Sequence, residues 1–282
     1  MNAVGVIPAR LASKRLPRKL LLTETGKPLL QYAWESACRA QSLSQVIIAT
    51  DSEEIATVAR GFGAEVVLTE DHPSGTDRIA EVIRKHCPDA ELVVNVQGDE
   101  PELEPAVIDR LVAVMTQRPQ VEMGTLACPI HSVAVLEDRG CVKVVTAADG
   151  KALYFSRLPI PCFRDGEPGD LLATKSSSRT QDALDMLGTE TSDATPADGP
   201  LISSPWLLHL GIYAYRPEFL LALTQMPPSR LEQLESLEQL RALEAGASIH
   251  VEIVPHRSVG IDTSGDYAGF VARERRRQSS QK

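Results

Sequence analysis

Short runs of Val and Ile, alternating with amphipathic segments, fill the first hundred residues and constrain the fold more than any other feature. The runs are almost continuously apolar, which is typical of strands buried on both faces of a parallel sheet. The segments between them space apolar residues three and four positions apart, as helices do when one face packs on a sheet. This alternation predicts an α/β fold with a mostly parallel sheet, helices on both faces and ligand-binding loops at the carboxyl ends of the strands. The four runs are AVGVI, QVIIAT, AEVVLT and ELVVNVQ.

The pattern becomes more mixed after about residue 120, and we expect a small mixed α/β extension at about 120–160 and 205–230. Strand-like runs there follow one another without helices of similar length between them, which favours hairpins. The segment 164–205 is rich in Ser, Thr, Asp, Gly and Pro, so it is predicted to be a flexible surface insertion. Near the C-terminus, LEQLESLEQLRALEAG predicts one helix, and a final helix is expected after Asp262. The whole chain, 1–282, is interpreted as a single domain.

Composition narrows the functional classes. The formal net charge of −9 argues against a general nucleic-acid-binding protein, because such proteins meet a polyanion with a basic surface. The five cysteines include no CxxC pair, so a zinc knuckle or dithiol site is not expected. No apolar stretch is long enough to insert in a membrane, and the N-terminal run is too short for a signal peptide. We therefore expect a cytoplasmic protein.

Five cations follow the first strand within ten positions: Arg10, Lys14, Arg15, Arg18 and Lys19. Such a group beside a strand end could clamp a triphosphate together with backbone N–H groups of the loop. A solvated basic loop explains the composition equally well, since the order of a glycine-rich phosphate loop is missing. The residues alone leave both alternatives open.

The second and third strands also end in polar residues, Thr50 and Asp51 in one case and Ser74, Gly75 and Thr76 in the other. Hydroxyls, a carboxylate and a helix N-terminus at one edge of the sheet could contact a base or a phosphate. Helix capping accounts for Ser74, and for Asp51 or the neighbouring Ser52, about as well. On the residues alone, capping is the favoured interpretation.

The fourth strand ends in VNVQGDEP, which places Asp99 at the edge of the sheet just after Gly98. We interpret Gly98 as a position where the backbone passes close to a ligand. Magnesium prefers one or two carboxylates plus substrate phosphate oxygens, so Asp99 is a candidate ligand if a second carboxylate approaches it. Asp262 is the candidate partner, although it could instead cap the terminal helix.

Together, these segments closely resemble the 3-deoxy-manno-octulosonate (Kdo) cytidylyltransferases over most of the chain. The resemblance implies a nucleotide-diphosphosugar transferase-like fold whose small extension supports a homodimer. It also implies transfer of CMP from CTP to Kdo, with release of pyrophosphate, for lipopolysaccharide biosynthesis. The matching segments are IPAR, SKRLPRK, ATD, HPSGTDR, NVQGDEP, KVV, ALYFSR, HLGIYAYR, LESLEQLRAL and GIDT.

The same resemblance implies roles for individual residues. It assigns Arg10, Lys19, Asp99 and Asp262 to catalysis, the two aspartates being the magnesium ligands. It assigns Pro8, Ala9, Arg10, Lys19, Ala49, Thr50, Asp51, Ser74, Gly75 and Thr76 to nucleotide binding. It assigns Gln97, Arg157, His209, Tyr213, Glu238 and Gln239 to the sugar-acid pocket, with Arg157 as the fork for the sugar carboxylate.

Two departures and two alternatives accompany this interpretation. The family usually has Gly and Pro around the loop lysine, where this chain has Arg18 and Leu20, so the loop is expected to be stiffer or differently charged. A cytidylyltransferase for sialic acid or another sugar acid would share the loop chemistry. A non-catalytic nucleotide-binding homologue would be indicated by loss of Lys19, Asp99 or Asp262, and all three are present.

Overall fold

The computed structural model describes residues 1–13, 15–172, 204–255 and 260–280. The chain divides into two compact units: the first comprises Met1–Met123, Ile212–Pro227 and Ser258–Lys282, and the second comprises Gly124–Gly211 and Pro228–Arg257. The predicted start of an extension near residue 120 lies close to the start of the second unit. Its assignment as an extension of a single domain stays a prediction. Most of the predicted insertion, 164–205, lies outside the described residues.

Strands account for all four apolar runs of the first hundred residues and for the mixed region that follows. Their bounds within the described residues are β1 (Ala3–Ala9), β2 (Gln45–Thr50), β3 (Glu65–Leu68), β4 (Leu92–Asn95), β5 (Met123–Pro129), β6 (Lys143–Thr146), β7 (Ala152–Ser156), β8 (Leu207–Tyr215) and β9 (Ile249–Ile253).

Helices follow the strands at the predicted places. None of those in the described part of the chain is both long enough and apolar enough to cross a membrane. Their bounds are α1 (Leu29–Arg39), α2 (Glu53–Gly61), α3 (Gly75–His86), α4 (Pro105–Gln117), α5 (Val133–Glu137), α6 (Pro168–Leu172), α7 (Pro217–Leu223), α8 (Arg230–Glu235), α9 (Gln239–Glu244) and α10 (Ser264–Ser280).

The first unit is built on a mostly parallel sheet in the strand order β3-β2-β1-β4-β8. β1 runs parallel to both β2 and β4, and β2 runs parallel to β3. The last part of β8 is antiparallel to β4, with Asn95 opposite Tyr213. Parallel strands bring their carboxyl ends to one edge, so the loops after β1, β2, β3 and β4 gather there, as the sequence predicts.

Helices cover both faces of this sheet, as the burial of β1 and β4 along almost their whole length shows. α3 packs on β1, β2 and β4 and also contacts α7, while α1 and α4 contact each other and pack on β1 and β4 respectively. A strand whose successive side chains point to opposite faces can be buried throughout only if both faces are covered. The predicted α/β architecture is therefore confirmed.

The second unit is mixed, with an antiparallel hairpin of β6 and β7, and β6 also pairs with the first part of β8. Lys143 in β6 is fully buried, and its ammonium donates to three backbone carbonyls, those of Asp138, Cys141 and Arg157. Burial lowers the pKa of Lys143. The prediction of one continuous helix over LEQLESLEQLRALEAG was wrong. The chain breaks between α8 and α9, where Ser236 adopts a left-handed backbone with φ 52°.

Candidate active site

A cavity of about 450 Å³ in the first unit lies at the carboxyl edge of the sheet. β1 ends at Ala9, β4 ends at Asn95, and the residues that follow them form much of the wall. The cavity is lined by Pro8, Arg10, Ala12, Ser13, Arg15, Lys19, Leu20, Gly75, Gln97, Gly98, Asp99 and Asp262. The structure therefore brings three of the five predicted loop cations, Arg10, Arg15 and Lys19, together with both predicted metal-binding aspartates, which are far apart in the sequence. Lys14 lies outside the described residues.

Lys19 lies at the centre of this constellation. Its Nζ donates to Asp99 Oδ2 at 2.5 Å, to Asp262 Oδ1 at 3.0 Å and to the Ile261 carbonyl at 3.0 Å. Arg15 contacts the other oxygen of Asp262, with Nη2 2.8 Å from Oδ2. Two carboxylates that the sequence could only place at separate loop ends thus both contact one ammonium group.

The charge state of Lys19 follows from two opposing effects. Burial on its own lowers the pKa of the ammonium, but the charges and hydrogen bonds of Asp99 and Asp262 outweigh it and raise the pKa above 10.5. A raised pKa keeps the cation charged at neutral pH. The stabilisation from these contacts is complete below the ordinary pKa and is lost only as the pH rises through the higher folded value.

Tertiary packing brings Asp262 to this site. The preceding residue, Ile261, is fully buried in an apolar cluster with Leu29, Tyr267 and Phe270, which joins α10 to α1. The Ile261 N–H donates to the Asp99 carbonyl at 2.9 Å. The burial of Ile261 therefore fixes the backbone on which Asp262 stands.

The capping interpretation of Asp262 does not hold. At the start of α10, Thr263 Oγ1 accepts from the Asp266 N–H at 3.1 Å, while Asp266 Oδ2 accepts from the N–H groups of Asp262 and Thr263. The cap is thus formed by the next residue in the chain. This leaves the Asp262 carboxylate to Lys19 and Arg15.

Asp51 is likewise not the cap of its helix. The N-cap of α2 is Ser52, whose hydroxyl accepts from the Ile55 N–H. The Asp51 carboxylate instead pairs with Arg78, with Nη2 3.1 Å from Oδ2. For Ser74 the capping interpretation is confirmed, because its hydroxyl accepts from the Asp77 N–H at 3.0 Å at the start of α3.

The remaining residues that were predicted to bind the nucleotide lie along the same edge of the sheet but differ in burial. Ala9 and Thr50 are in register on neighbouring strands and are fully buried, as is Ala49. The Thr50 hydroxyl accepts from the Ser52 N–H at 3.1 Å. Thr76 is also buried, whereas Pro8 and Gly75 line the cavity. Their direct contacts with a nucleotide stay predictions.

Gly98 lines the cavity, so its close approach to a ligand stays a prediction, and packing gives a second reason for glycine at this position. A Cβ at this position would come 3.1 Å from Leu30 Cδ1 and 3.2 Å from Ile7 Cγ2. Both distances are tighter than ordinary packing, so glycine lets the backbone lie close to the core. This packing holds Asp99 at the edge of the sheet.

The phosphate loop departs from the family pattern at Arg18, whose backbone is left-handed with φ 57°. Its guanidinium pairs with Glu54 on α2, and Arg18 is not among the residues lining the cavity. Leu20 is buried and lines the cavity. The extra charge at position 18 is therefore directed to a neighbouring helix.

We expect Arg18→Gly to leave kcat/KM within about twofold of the unsubstituted chain, as for surface changes remote from the chemistry. Glycine adopts the left-handed backbone without the cost of about 1–2 kcal/mol that other residues meet. The loss of an exposed ion pair and the greater freedom of the unfolded chain oppose this gain. Steady-state kinetics and urea unfolding measure both effects. Arg15→Ala, which removes a contact with Asp262, is the variant for comparison. A tenfold loss of kcat/KM in Arg18→Gly would instead assign Arg18 to phosphate binding.

The six predicted sugar residues divide between the units: Gln97 and Tyr213 belong to the first, and Arg157, His209, Glu238 and Gln239 belong to the second. Gln97 lines the cavity, and its Nε2 donates to Asn95 Oδ1 at 3.3 Å. Tyr213 lies in β8 with its ring 5.9 Å from that of Tyr215. Glu238 is the N-cap residue of α9.

The guanidinium of Arg157 contacts backbone carbonyls in the second unit. Nε donates to the Glu235 carbonyl at 2.6 Å, Nη1 to the Arg139 carbonyl at 2.9 Å and Nη2 to the Ser236 carbonyl at 3.1 Å. These bonds hold the turn between α8 and α9. A fork to a sugar carboxylate stays a prediction, and in this structure the fork faces the turn.

His209 and Gln239 are buried polar groups of the second unit. Desolvation lowers the pKa of His209 to about 3, so the imidazole is neutral at physiological pH. Its Nε2 lies 3.0 Å from Thr125 Oγ1, and its ring packs edge-on against Phe155. Gln239 is only 4% exposed, and its Nε2 has no hydrogen-bond partner among the described residues. A buried amide without an acceptor is costly, which favours a polar ligand there.

The loop from Thr69 to Ser74, between β3 and α3, is held by Glu81. Glu81 is 4% exposed and accepts from the Glu70 N–H at 3.0 Å, from Lys85 at 2.7 Å and from the His72 ring. Burial alone raises the pKa of Glu81, but these bonds together lower it from 4.5 to about 2. The carboxylate is thus ionised in the folded chain at neutral pH.

We expect Glu81→Gln to lower the free energy of unfolding at neutral pH by about 2 kcal/mol, the scale of hydrogen bonds to a charged group. The depressed pKa gives stabilisation that is complete above 4.5 and is lost as the pH falls through about 2. The difference between the two proteins should therefore shrink over that interval. Urea denaturation across this pH range measures it, with the exposed Glu53→Gln as control. A constant difference would contradict the assignment.

The donor set fits a magnesium ion only in part. Asp99 and Asp262 supply hard oxygen ligands around a position that a cation, the Lys19 ammonium, occupies in this structure. No group of three or more His, Cys, Asp or Glu side chains among the described residues could hold a metal ion alone. A magnesium ion would therefore need phosphate oxygens of a substrate to complete its shell, which is its usual preference.

Sequence reasoning missed two features of this region. Ser13 and Ala12 line the cavity, although only the cations of their loop were singled out. Arg78 is fully buried in α3, although the sequence predicts no role for it within the segment HPSGTDR. Its position on the apolar face of a predicted helix is the signal that could have identified it, because charged residues are rarely buried.

Comparison with known proteins agrees with this geometry. A family model described as Cytidylyltransferase matches residues 4–249. The 3-deoxy-manno-octulosonate cytidylyltransferase of Geobacter sulfurreducens is 43% identical over 94% of this chain and 96% of its own. The protein of that name from Rhodopirellula baltica is 42% identical over 97% of this chain and 98% of its own. A solved structure of CMP:2-keto-3-deoxy-manno-octonic acid synthetase in complex with CTP superposes with a TM-score of 0.81 at 35% identity, covering 98% of this chain and 100% of that one. This chain therefore belongs to the 3-deoxy-manno-octulosonate cytidylyltransferase family.

Proposed function

We infer that this chain transfers CMP from CTP to 3-deoxy-D-manno-octulosonate, giving CMP-Kdo and pyrophosphate. The observation that carries this inference is the constellation of Lys19 with Asp99 and Asp262 in a cavity walled by Arg10 and Arg15. Three cations and two carboxylates converge where a triphosphate would need charge neutralisation. The names of the relatives supply the base and the sugar acid.

In the proposed reaction the anomeric hydroxyl of Kdo attacks the α-phosphorus of CTP. A new bond forms between the sugar oxygen and the α-phosphorus, the bond from the α-phosphorus to the oxygen bridging to the β-phosphate breaks, pyrophosphate leaves, and the hydroxyl proton passes to water. Arg10, Arg15 and Lys19 stabilise the negative charge that develops on the phosphates. Asp99 and Asp262 would hold magnesium, which when bound neutralises phosphate charge and lowers the pKa of the nucleophile.

The ion pairs of Lys19 define what must change when the nucleotide enters. Its ammonium has both carboxylates as partners in this structure, and a triphosphate offers it a more strongly negative partner. We propose that Lys19 turns to the phosphates when CTP binds, which would leave both carboxylates free to hold magnesium. The phosphate groups of CTP would therefore replace Asp99 and Asp262 as ion-pair partners of Lys19.

For the sugar acid, we propose Gln97, Arg157, His209, Tyr213, Glu238 and Gln239 as binding residues. The buried Gln239 amide supports this proposal, since a sugar hydroxyl would satisfy its donor. Neutral His209 can accept or donate a hydrogen bond according to its tautomer.

Pyrophosphate release from CTP and Kdo with magnesium tests the function. Parallel reactions replace CTP by UTP, replace Kdo by sialic acid, omit the metal or use Asp99→Ala. We expect release only with CTP, Kdo and magnesium, and its loss in the variant. Release with sialic acid instead would keep the mechanism and change the acceptor, whereas CTP binding without any release would favour a non-catalytic binding protein.

We further propose that the active form is a cytoplasmic homodimer that supplies activated Kdo for lipopolysaccharide. Leu153 and Leu158, exposed by 59% and 54% in the second unit, are apolar side chains that a partner subunit could cover. Sedimentation equilibrium of the purified chain and of a Leu153→Glu variant measures this. A monomer at all concentrations would exclude the dimer.

A further inference from the structure

Arg78 combines complete burial with incomplete hydrogen bonding. Its side chain in α3 is 0% exposed, yet Nε and Nη2 have no hydrogen-bond partner among the described residues. The contact of Nη2 with Asp51, at 3.1 Å, is thus an ion pair without a directed hydrogen bond. Burying a guanidinium in this way is costly, so a reason beyond core packing is required.

The contacts of Arg78 join two different loops of the sheet edge. Nη1 donates to Thr69 Oγ1 and, at 3.4 Å, to the Glu70 carbonyl, both in the loop after β3. Nη2 faces Asp51 in the loop after β2. One planar group with donors in a fixed fork thereby sets the separation of two loops, which a point charge such as lysine cannot do.

The Thr69–Ser74 loop, which Arg78 contacts, also contacts Arg10 in the wall of the cavity. Arg10 Nη2 donates to the Pro73 carbonyl at 3.2 Å, within the same Thr69–Ser74 loop. This loop continues into Gly75, which lines the cavity and whose absent Cβ would lie 3.3 Å from Pro8 Cγ. A shift of the loop would therefore move Arg10 and the edge of the cavity together.

We propose that Arg78 is a positioning residue for the nucleotide, which aligns Asp51 and, through the Thr69–Ser74 loop, Arg10. Arg78 does not itself line the cavity. This inference rests on the proposed function, because it assumes that the nucleotide occupies this edge of the sheet.

The decisive variant is Arg78→Lys, which keeps the charge but loses the fork. We expect the KM for CTP to rise about tenfold or more, as loss of charged hydrogen bonds predicts, with kcat and the KM for Kdo changed by less than about threefold. Asp51→Asn should raise the KM for CTP similarly, and the double variant should add little, because the two residues act as one unit.

A purely structural role is tested with Arg216→Lys as matched control. Arg216 lies in the same unit, is not among the residues lining the cavity, and donates to the backbone carbonyls of Met115, Arg118 and Val121. Arg216→Lys should lower the Tm about as much as Arg78→Lys does, and it should leave the KM for CTP unchanged. If Arg78→Lys behaves like this control, the proposal is overturned.

Milder variants and a binding assay keep the test decisive. Thr69→Ala removes only one acceptor of Arg78, so it should fold and still raise the KM for CTP, by about threefold or more. Unchanged KM values in both Thr69→Ala and Asp51→Asn would overturn the proposal even if Arg78→Lys does not fold. If the unsubstituted chain releases no pyrophosphate, the proposed function fails. CTP titrations of that chain and of Thr69→Ala then judge the positioning role alone.

Discussion

Replacing Asp99 by alanine should lower pyrophosphate release from CTP and Kdo by about 10³-fold, the upper range for removal of one preorganised electrostatic group. The Asp99 carboxylate contacts the Lys19 ammonium, as the Asp262 carboxylate does, so its loss would remove one of the two carboxylates proposed to hold magnesium. Turnover should fall more than CTP binding, because a metal held at the proposed site would act on charge that develops in the transition state.

The measurement is steady-state pyrophosphate release over a range of magnesium concentrations. Asp109→Ala is the matched control, since the Asp109 carboxylate is held by the backbone and hydroxyl of Ser42 in the same unit and is not among the residues lining the cavity. It should reduce stability and leave the magnesium dependence unchanged. Asp99→Ala activity close to that of the unsubstituted chain would remove Asp99 from the proposed metal site.

Replacing Lys19 by alanine should lower turnover by about 10² to 10³-fold, as loss of one preorganised charge contact does. The substitution removes the ammonium group that contacts both the Asp99 and the Asp262 carboxylates. It also removes a cation from the wall of the cavity. Because the pKa of Lys19 is raised, its charge is constant through neutral pH. The profile of the unsubstituted chain near pH 7 should therefore show no titration of Lys19.

Single-turnover and steady-state assays separate the effect on chemistry from the effect on CTP binding. Lys27→Ala is the control, because Lys27 also pairs with a carboxylate, Glu35, and lies over the Tyr32 ring in the same unit. Its kinetics should match those of the unsubstituted chain. A Lys19→Ala rate near the unsubstituted value would refute the assigned role of Lys19 in stabilising the phosphates.

Local patterns in the sequence determined most of the first unit. The Val- and Ile-rich runs form β1 to β4 and the amphipathic segments between them form α1 to α3, because period and polarity decide which face of an element is buried. The chain order of these elements then placed the loops carrying Lys19, Asp51 and Asp99 at one edge. The failure at Ser236 shows the limit of periodicity, which continues across a break in the backbone.

Tertiary structure alone decided which polar groups face one another. The sequence allows Asp51 or Ser52 to cap α2 and allows Asp262 to cap α10, and only the folded chain shows that Ser52 and Thr263 form the caps. Burial of Ile261 brings Asp262 to Lys19 across more than two hundred positions of chain, and α3 buries Arg78 between two loops. Periodicity records whether a side chain is inside, whereas a site depends on distances between groups remote in sequence, and only the packed core sets those distances.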